Sequence, residues 1–186
     1  MDDVTGVVLA GGRGSRMGGA DKGLVSFRGR ALVGWTLERL KPQLAELLIS
    51  ANRNIERYAA YGYPVVCDES PGYAGPLAGL HAALGRARFD LVCSVPCDSP
   101  FLPLDLVRRL RAGLDRAQAD IAIARAAGRV HPVFCLCRRG VRKDLEAYLS
   151  AGERRLESWY RRLRHVEVDF DDADAFRNIN TPDNLA

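Results

Sequence analysis

The stretch Val4-Thr-Gly-Val-Val-Leu-Ala-Gly11-Gly12-Arg-Gly-Ser-Arg16-Met-Gly-Gly-Ala-Asp-Lys22-Gly23 decides the fold. Its first part, 4–10, is β-branched and apolar without alternation, which predicts a strand buried on both faces. The next thirteen residues, 11–23, hold six glycines, too many for the interior of a helix or strand. A buried strand that runs into such a loop places it at the strand's carboxyl end, where open α/β sheets bind ligands. Glycines let backbone N–H groups wrap an anion, and Arg13, Arg16 and Lys22 add positive charge, so phosphate binding is the direct inference. The loop is neither of two common phosphate motifs. No G-x-x-x-x-G-K-[ST] is present, and after Gly12-x-Gly14 the third glycine position holds Met17.

The rest of the chain alternates between strand and helix patterns. Val33, Leu37, Leu40 and Leu44 predict a helix over about 31–41. Short apolar runs predict strands at 47–51, 64–67 and 90–95, the last ending at Pro96-Cys97-Asp98. Leu77, Leu80 and Leu84 predict a helix opening at Pro76, a residue favoured at a first helical position. Further helices run through Val107, Leu110 and Leu114, and through Val141, Leu145 and Tyr148 with Gly152 as its stop. Strands are predicted at 120–124 and 133–136, with His131-Pro132 leading the second. Val166, Val168 and Phe170 alternate, as in an antiparallel edge strand with one wet face. His81 reads as a packing residue, and Trp35 and Trp159 as core or half-buried. The sum is an α/β fold, a mostly parallel, mixed sheet flanked by helices in a single-domain Rossmann-like architecture. Right-handed crossovers then bring every βα loop to one edge.

Composition excludes several classes. The 186 residues amount to about one domain, 47% hydrophobic and 27% charged, in the globular range. Twenty-seven Lys and Arg against 23 Asp and Glu leave a net charge of +4, too mild for a duplex-binding protein. No aromatic–basic stacking pattern suits single-stranded nucleic acid. No apolar run reaches the ~20 residues of a membrane span, and Met1-Asp2-Asp3 lacks the basic start of a secretory signal. A cytoplasmic protein with no membrane or nucleic-acid partner is expected. The five cysteines, Cys67, Cys93, Cys97, Cys135 and Cys137, include no C-x-x-C and read as reduced core thiols. Charge is uneven: 11–30 nets +4, 138–164 nets +5 and 167–186 nets −5.

Taken with its neighbours, the glycine-rich segment resembles the signature of nucleotidyltransferases that activate sugars and cofactors. Within them, the ordered set of motifs is similar to molybdenum cofactor guanylyltransferase, the MobA family. That set comprises Leu9-Ala10-Gly11-Gly12, Arg16-Met17-Gly18-Gly19, Asp21-Lys22-Gly23, Ser50-Ala51-Asn52-Arg53, Asp68, Gly75-Pro76-Leu77-Ala78-Gly79, Pro96-Cys97-Asp98-Ser99-Pro100, Gly152-Glu153-Arg154-Arg155 and Asn178-Ile179-Asn180-Thr181-Pro182. The resemblance covers nearly the whole chain. It implies one nucleotidyltransferase domain, 1–186, with its nucleotide part over about 1–100 and its acceptor part over about 101–186.

The resemblance also implies the chemistry: GMP passes from GTP to the terminal phosphate of molybdenum-molybdopterin, and pyrophosphate leaves. Asp98 is expected to hold Mg²⁺; alone it reads equally as an Asx turn or a helix cap. Lys22 is expected at the α-phosphate and the departing pyrophosphate, Arg16 at the outer phosphates. Leu9, Ala10, Gly11, Gly12, Ser50, Asp68, Gly75, Leu77 and Gly79 are expected to contact the nucleotide. Ser50 stands where some relatives carry Asn. Arg154, Arg155, Asn178 and Asn180 are candidates for the pterin phosphate and ring edge, against a solvated helix start and helix caps. A cofactor-supplying protein and acceptor apo-molybdoenzymes or their chaperones are implied as partners. The alternatives are a cytidylyl- or sugar-phosphate nucleotidyltransferase, or a non-catalytic GTP- or cofactor-carrying module.

Overall fold

The computed structural model describes residues 3–10, 21–68 and 75–179. Its strands are β1 (Val4–Leu9), β2 (Ser26–Phe27), β3 (Arg30–Ala31), β4 (Glu46–Ser50), β5 (Val65–Val66), β6 (Leu91–Pro96), β7 (Ile121–Ala126), β8 (Arg129–Arg138) and β9 (His165–Phe170). Its helices are α1 (Leu32–Leu40), α2 (Ile55–Ala59), α3 (Pro76–Arg86), α4 (Leu106–Arg116), α5 (Arg142–Ser150) and α6 (Leu156–Tyr160). Seven strands form one sheet in the order β5-β4-β1-β6-β8-β7-β9. β1 is an interior strand, parallel to both neighbours, with Gly6 opposite Leu47 and Cys93. β8 alone among the described strands of this sheet runs antiparallel to its neighbours.

The two faces of β1 seed two halves of the core, because alternate side chains point to opposite sides. Val4 and Val8 pack with Val33, Leu37 and Leu40 of α1 and Leu106, Leu110 and Leu114 of α4. Val7 packs with Leu77, Leu80 and Leu84 of α3, Leu145 of α5 and Trp159 of α6. Helix α1 gives way at Pro42 to a 3₁₀ turn, Lys41–Gln43, since proline cannot continue the α-helical hydrogen bonding. Gly75 caps α3 at φ +69°, a left-handed value that suits glycine.

Three expectations need correction. β9 is an edge strand but runs parallel to β7, with Ile121 opposite His165. The cause is the α5–α6 connection, which climbs from the amino edge and returns to it, so the chain re-enters the sheet in β7's direction. β7 and β8 are longer than their apolar cores. With β9 still paired alongside, they run past β6 as a hairpin whose turn residues, Ala127 and Gly128, both have positive φ, the geometry of a two-residue hairpin. Arg125 on that extension pairs with Glu167 and Asp169 of β9. Cys67 is exposed, unlike the other four cysteines, because it lies beyond the two-residue strand β5. The β2–β3 hairpin, turned through Arg28 and Gly29 at positive φ, and helix α2 carry no periodicity long enough to read.

Candidate active site

The carboxyl ends of β1, β4, β5 and β6 and the start of α3 surround a cavity of about 260 Å³. Leu9 and Ala10 end β1, Ser50 ends β4, Asp68 follows β5, and Pro96, Cys97 and Asp98 end and follow β6; all line it. Gly75, Pro76 and Gly79 close one side, Lys22 another, and Val133 and Asn178 the far end. Gly79 sits so close to the floor that a Cβ there would collide with the Ser50 hydroxyl and press on Leu9. Glycine is required at that turn of α3 because backbone and cavity floor are in contact.

Asp98 is 3% exposed, yet its carboxylate is turned into the cavity, where the Lys22 ammonium pairs with it. A buried carboxylate needs such a partner. The peptide around it is fixed from the far end of the chain. Ile179 donates its N–H to the Asp98 carbonyl at 3.1 Å, and Ser99 donates its hydroxyl to Asn178 Oδ1 at 3.1 Å. Asn178 thus faces the cavity from a segment that crosses beside Asp98.

Asp68 is held by a reciprocal pair. Asn52 Nδ2 donates to Asp68 Oδ2 at 2.8 Å, and the Asp68 N–H donates to Asn52 Oδ1 at 2.9 Å. Burial raises the Asp68 carboxyl above the usual carboxylate range, and the Asn52 bond offsets part of that rise. Asn52 lies two residues after Ser50, in the same Ser50-Ala51-Asn52-Arg53 motif, whose sequence does not announce this role. Cys97 lines the cavity as a neutral thiol, pushed up chiefly by burial and then by the Asp98 charge. A thiol so far from ionisation is no nucleophile.

The other expected site residues fall differently. Leu77 is fully buried in the core between α3 and the sheet, so its side chain is structural. Arg154 and Arg155 follow α5 at the carboxyl edge but do not line the cavity. The Arg154 guanidinium turns back to donate to the Leu149 and Glu153 carbonyls, capping α5, while exposed Arg155 faces outward. Gly11, Gly12, Arg13, Arg16 and Asn180 lie outside the described residues. His131 stacks on Phe176 with ring centroids 4.9 Å apart, just before the Asn178 segment. Burial, then nearby Arg129, lowers its imidazole pKa.

Residues 6–168 match the MobA-like NTP transferase domain. The chain belongs to the MobA-like NTP transferase family. It is similar to the molybdenum cofactor guanylyltransferase of Polynucleobacter asymbioticus, 46% identical over 99% of this chain and 94% of the relative. It is 50% identical to the enzyme of the same name from Cupriavidus pinatubonensis, over 99% of this chain and 95% of the relative. Among solved structures, molybdopterin-guanine dinucleotide biosynthesis protein A from Archaeoglobus fulgidus superposes with a TM-score of 0.81 at 26% identity, covering 97% of this chain and 94% of that one. A Mycobacterium tuberculosis protein solved with manganese shares the fold at a TM-score of 0.70 and 23% identity, over 98% and 95% of the two chains.

The donor set decides what kind of metal fits the cleft. Among the described residues no three His, Cys, Asp or Glu side chains cluster as ligands. Mg²⁺ is commonly held by one or two carboxylates, with substrate phosphates and water completing its octahedron. Two carboxylates, Asp68 and Asp98, line the cleft, and Asp98, beside Lys22, fits that mode. Among the described residues no helix is long and apolar enough to cross a membrane.

Proposed function

We propose that this chain transfers GMP from GTP to the terminal phosphate of molybdenum-molybdopterin, forming a guanine dinucleotide cofactor and releasing pyrophosphate. The observation that carries the reading is the Lys22–Asp98 pair set at the mouth of a cleft built from strand ends. The relatives at 46–50% identity, both named for guanylyl transfer, support the choice of nucleotide and acceptor.

In this reading Leu9, Ala10, Ser50, Gly75 and Gly79 form the cradle for base and ribose. Asp68 presents the Oδ1 that Asn52 leaves unused. A carboxylate only accepts hydrogen bonds, and guanine offers adjacent N1–H and N2–H donors that cytosine, adenine and uracil do not present together. Asp98 is the carboxylate that would hold Mg²⁺; when bound, the cation neutralises charge on the phosphates and orients them for in-line attack. Lys22 then turns from Asp98 toward the α-phosphate and the departing pyrophosphate, where charge develops in the transition state. Arg16 is assigned to the outer phosphates. Asn178 and, beyond the cavity, Arg155 and Asn180 are assigned to the pterin acceptor. The acceptor phosphate is already anionic, so no side chain need act as general base, and none carries a covalent intermediate. Positioning and charge neutralisation supply the catalysis.

The test is divalent-dependent pyrophosphate release with molybdenum-molybdopterin as acceptor, comparing GTP, CTP, ATP and UTP. GTP alone supporting release is the expected result. Release with CTP alone would move the chain to cytidylyl transfer. GTP binding without release would contradict an enzymatic role.

A further inference from the structure

Lys22 carries the central cation of the proposed reaction, and the residues around it show how its main chain is held. Its neighbour Asp21 does not line the cavity; its carboxylate points the other way, into a three-sided clamp. Tyr58 donates its hydroxyl to Asp21 Oδ1 at 2.5 Å. Asn54 Nδ2 donates to Oδ2 at 2.8 Å, and Arg53 Nε lies 3.6 Å from the same oxygen. Tyr58 itself is fully buried on α2. Burial pushes its phenol further above the ordinary tyrosine value, so the hydroxyl remains a donor, and a donor to a charged acceptor makes the stronger kind of hydrogen bond.

The other side of Lys22 is held by contact rather than by charge. A Cβ on Gly23 would lie 2.5 Å from the Tyr58 hydroxyl and 3.2 Å from Cys97 Sγ, so the Gly23 backbone is wedged between them. The Leu24 N–H donates to the Asp21 carbonyl at 2.9 Å, closing a 3₁₀ turn over Lys22–Leu24. One buried hydroxyl thus touches both flanks of Lys22 without lining the cavity. The main chain at Lys22 is fixed, and only its long side chain is left to move.

We infer that Tyr58, acting through Asp21, is a positioning residue for Lys22, holding its main chain so that the ammonium can pass from Asp98 to the nucleotide's α-phosphate by side-chain rotation alone. The inference rests on the guanylyltransferase reading for its kinetic consequence, but not for the clamp itself.

Tyr58→Phe removes only the hydroxyl and keeps the ring's packing. The expected result is a kcat lower by about tenfold with the KM for GTP within about twofold, since a small misplacement of a charge-stabilising group harms the transition state more than the ground state. Asp21→Ala should give the same split and serves as the second variant should Tyr58→Phe fold poorly. In a Lys22→Ala background Tyr58→Phe should cost almost nothing more, because the group it positions is gone. The same fold-loss with and without Lys22 would overturn the inference, as would a rise in KM for GTP in place of the fall in kcat. A substrate-free readout separates the clamp from the reaction. Amide hydrogen exchange at Leu24, whose N–H closes the turn over Lys22, should be several-fold faster in the substrate-free Tyr58→Phe protein. An unchanged exchange rate would refute the clamp. Absence of pyrophosphate release from GTP in the wild type would refute the functional reading alone.

Discussion

The two sides of the sheet build the cleft in different ways. On the side of β5, β4, β1 and β6 every strand is parallel to its neighbours. Each site residue there ends a strand or follows one closely: Leu9 and Ala10, Ser50, Asp68, Asp98. On the side of β8, β7 and β9 the antiparallel β8 breaks that rule. What reaches the carboxyl edge there is a hairpin, the connection between α5 and α6, and a segment at 177–179 that crosses beside Asp98. The lesson is that a parallel layout turns strand ends into a site by topology alone, whereas the other side, proposed for the acceptor, depends on tertiary contacts that no local pattern announces.

Five substitutions test that contrast. The largest effect is expected at Asp98. Asp98→Asn should lower kcat by about 10²–10³-fold while circular dichroism shows an unchanged fold. Near-wild-type turnover at saturating Mg²⁺ would remove Asp98 from the chemistry and weaken the strand-end rule. Lys22→Ala should lower kcat by about 10²-fold with the GTP dissociation constant within about threefold. Isothermal titration beside steady-state kinetics separates the two, and a purely binding defect would make Lys22 a ground-state contact.

Asp68→Asn should cut discrimination for GTP over CTP by about tenfold, the worth of one good hydrogen-bonded base contact. Its pH dependence has a definite sign. Burial raises the Asp68 carboxyl in the folded state, so its contribution to stability is full below the unfolded carboxylate value and is lost as pH rises through the folded one. GTP affinity should move the opposite way, weakening on acidification as the acceptor oxygen is protonated. Asp68→Asn should flatten both curves, as denaturant melts and nucleotide titrations between pH 4 and 7 would register; an unaltered affinity profile would place guanine elsewhere.

The smallest effect belongs to the acceptor side. Arg154→Ala removes the bonds to the Leu149 and Glu153 carbonyls and should cost about 0.5–1 kcal/mol of stability. Its kinetics should stay unchanged, whereas Arg155→Ala should raise the KM for the pterin. An acceptor defect at Arg154 instead would show that its cap opens during turnover.

How much could be read beforehand follows the same divide. β1 and β6 were legible as unbroken apolar runs ended by turn residues, α1, α3 and α4 because their apolar periods run long enough to be distinctive, and Asp98 because it follows a buried strand between prolines. Resemblance, not periodicity, pointed to Ser50, Asp68 and Gly79, and Gly79's tight fit against Ser50 explains why glycine stands there. The clamp of Tyr58 on Asp21 was illegible: the partners are 37 residues apart, on a five-residue helix too short for a period to show. The direction of β9 was misread because alternation reports a strand's exposure, not its polarity. Arg154 and Arg155 looked equivalent as a pair. Only the fold separates one bound to a carbonyl of α5's last turn from one facing outward.

The most direct test of the whole account is a rapid-quench single turnover with GTP labelled at the α-phosphate and molybdenum-molybdopterin as acceptor. The account predicts that label passes from GTP to the pterin in step with pyrophosphate release and at no time resides on the protein, because Lys22 and Asp98 position and neutralise rather than attack. Label appearing on the protein before the pterin, or pyrophosphate released with no labelled pterin formed, would contradict it.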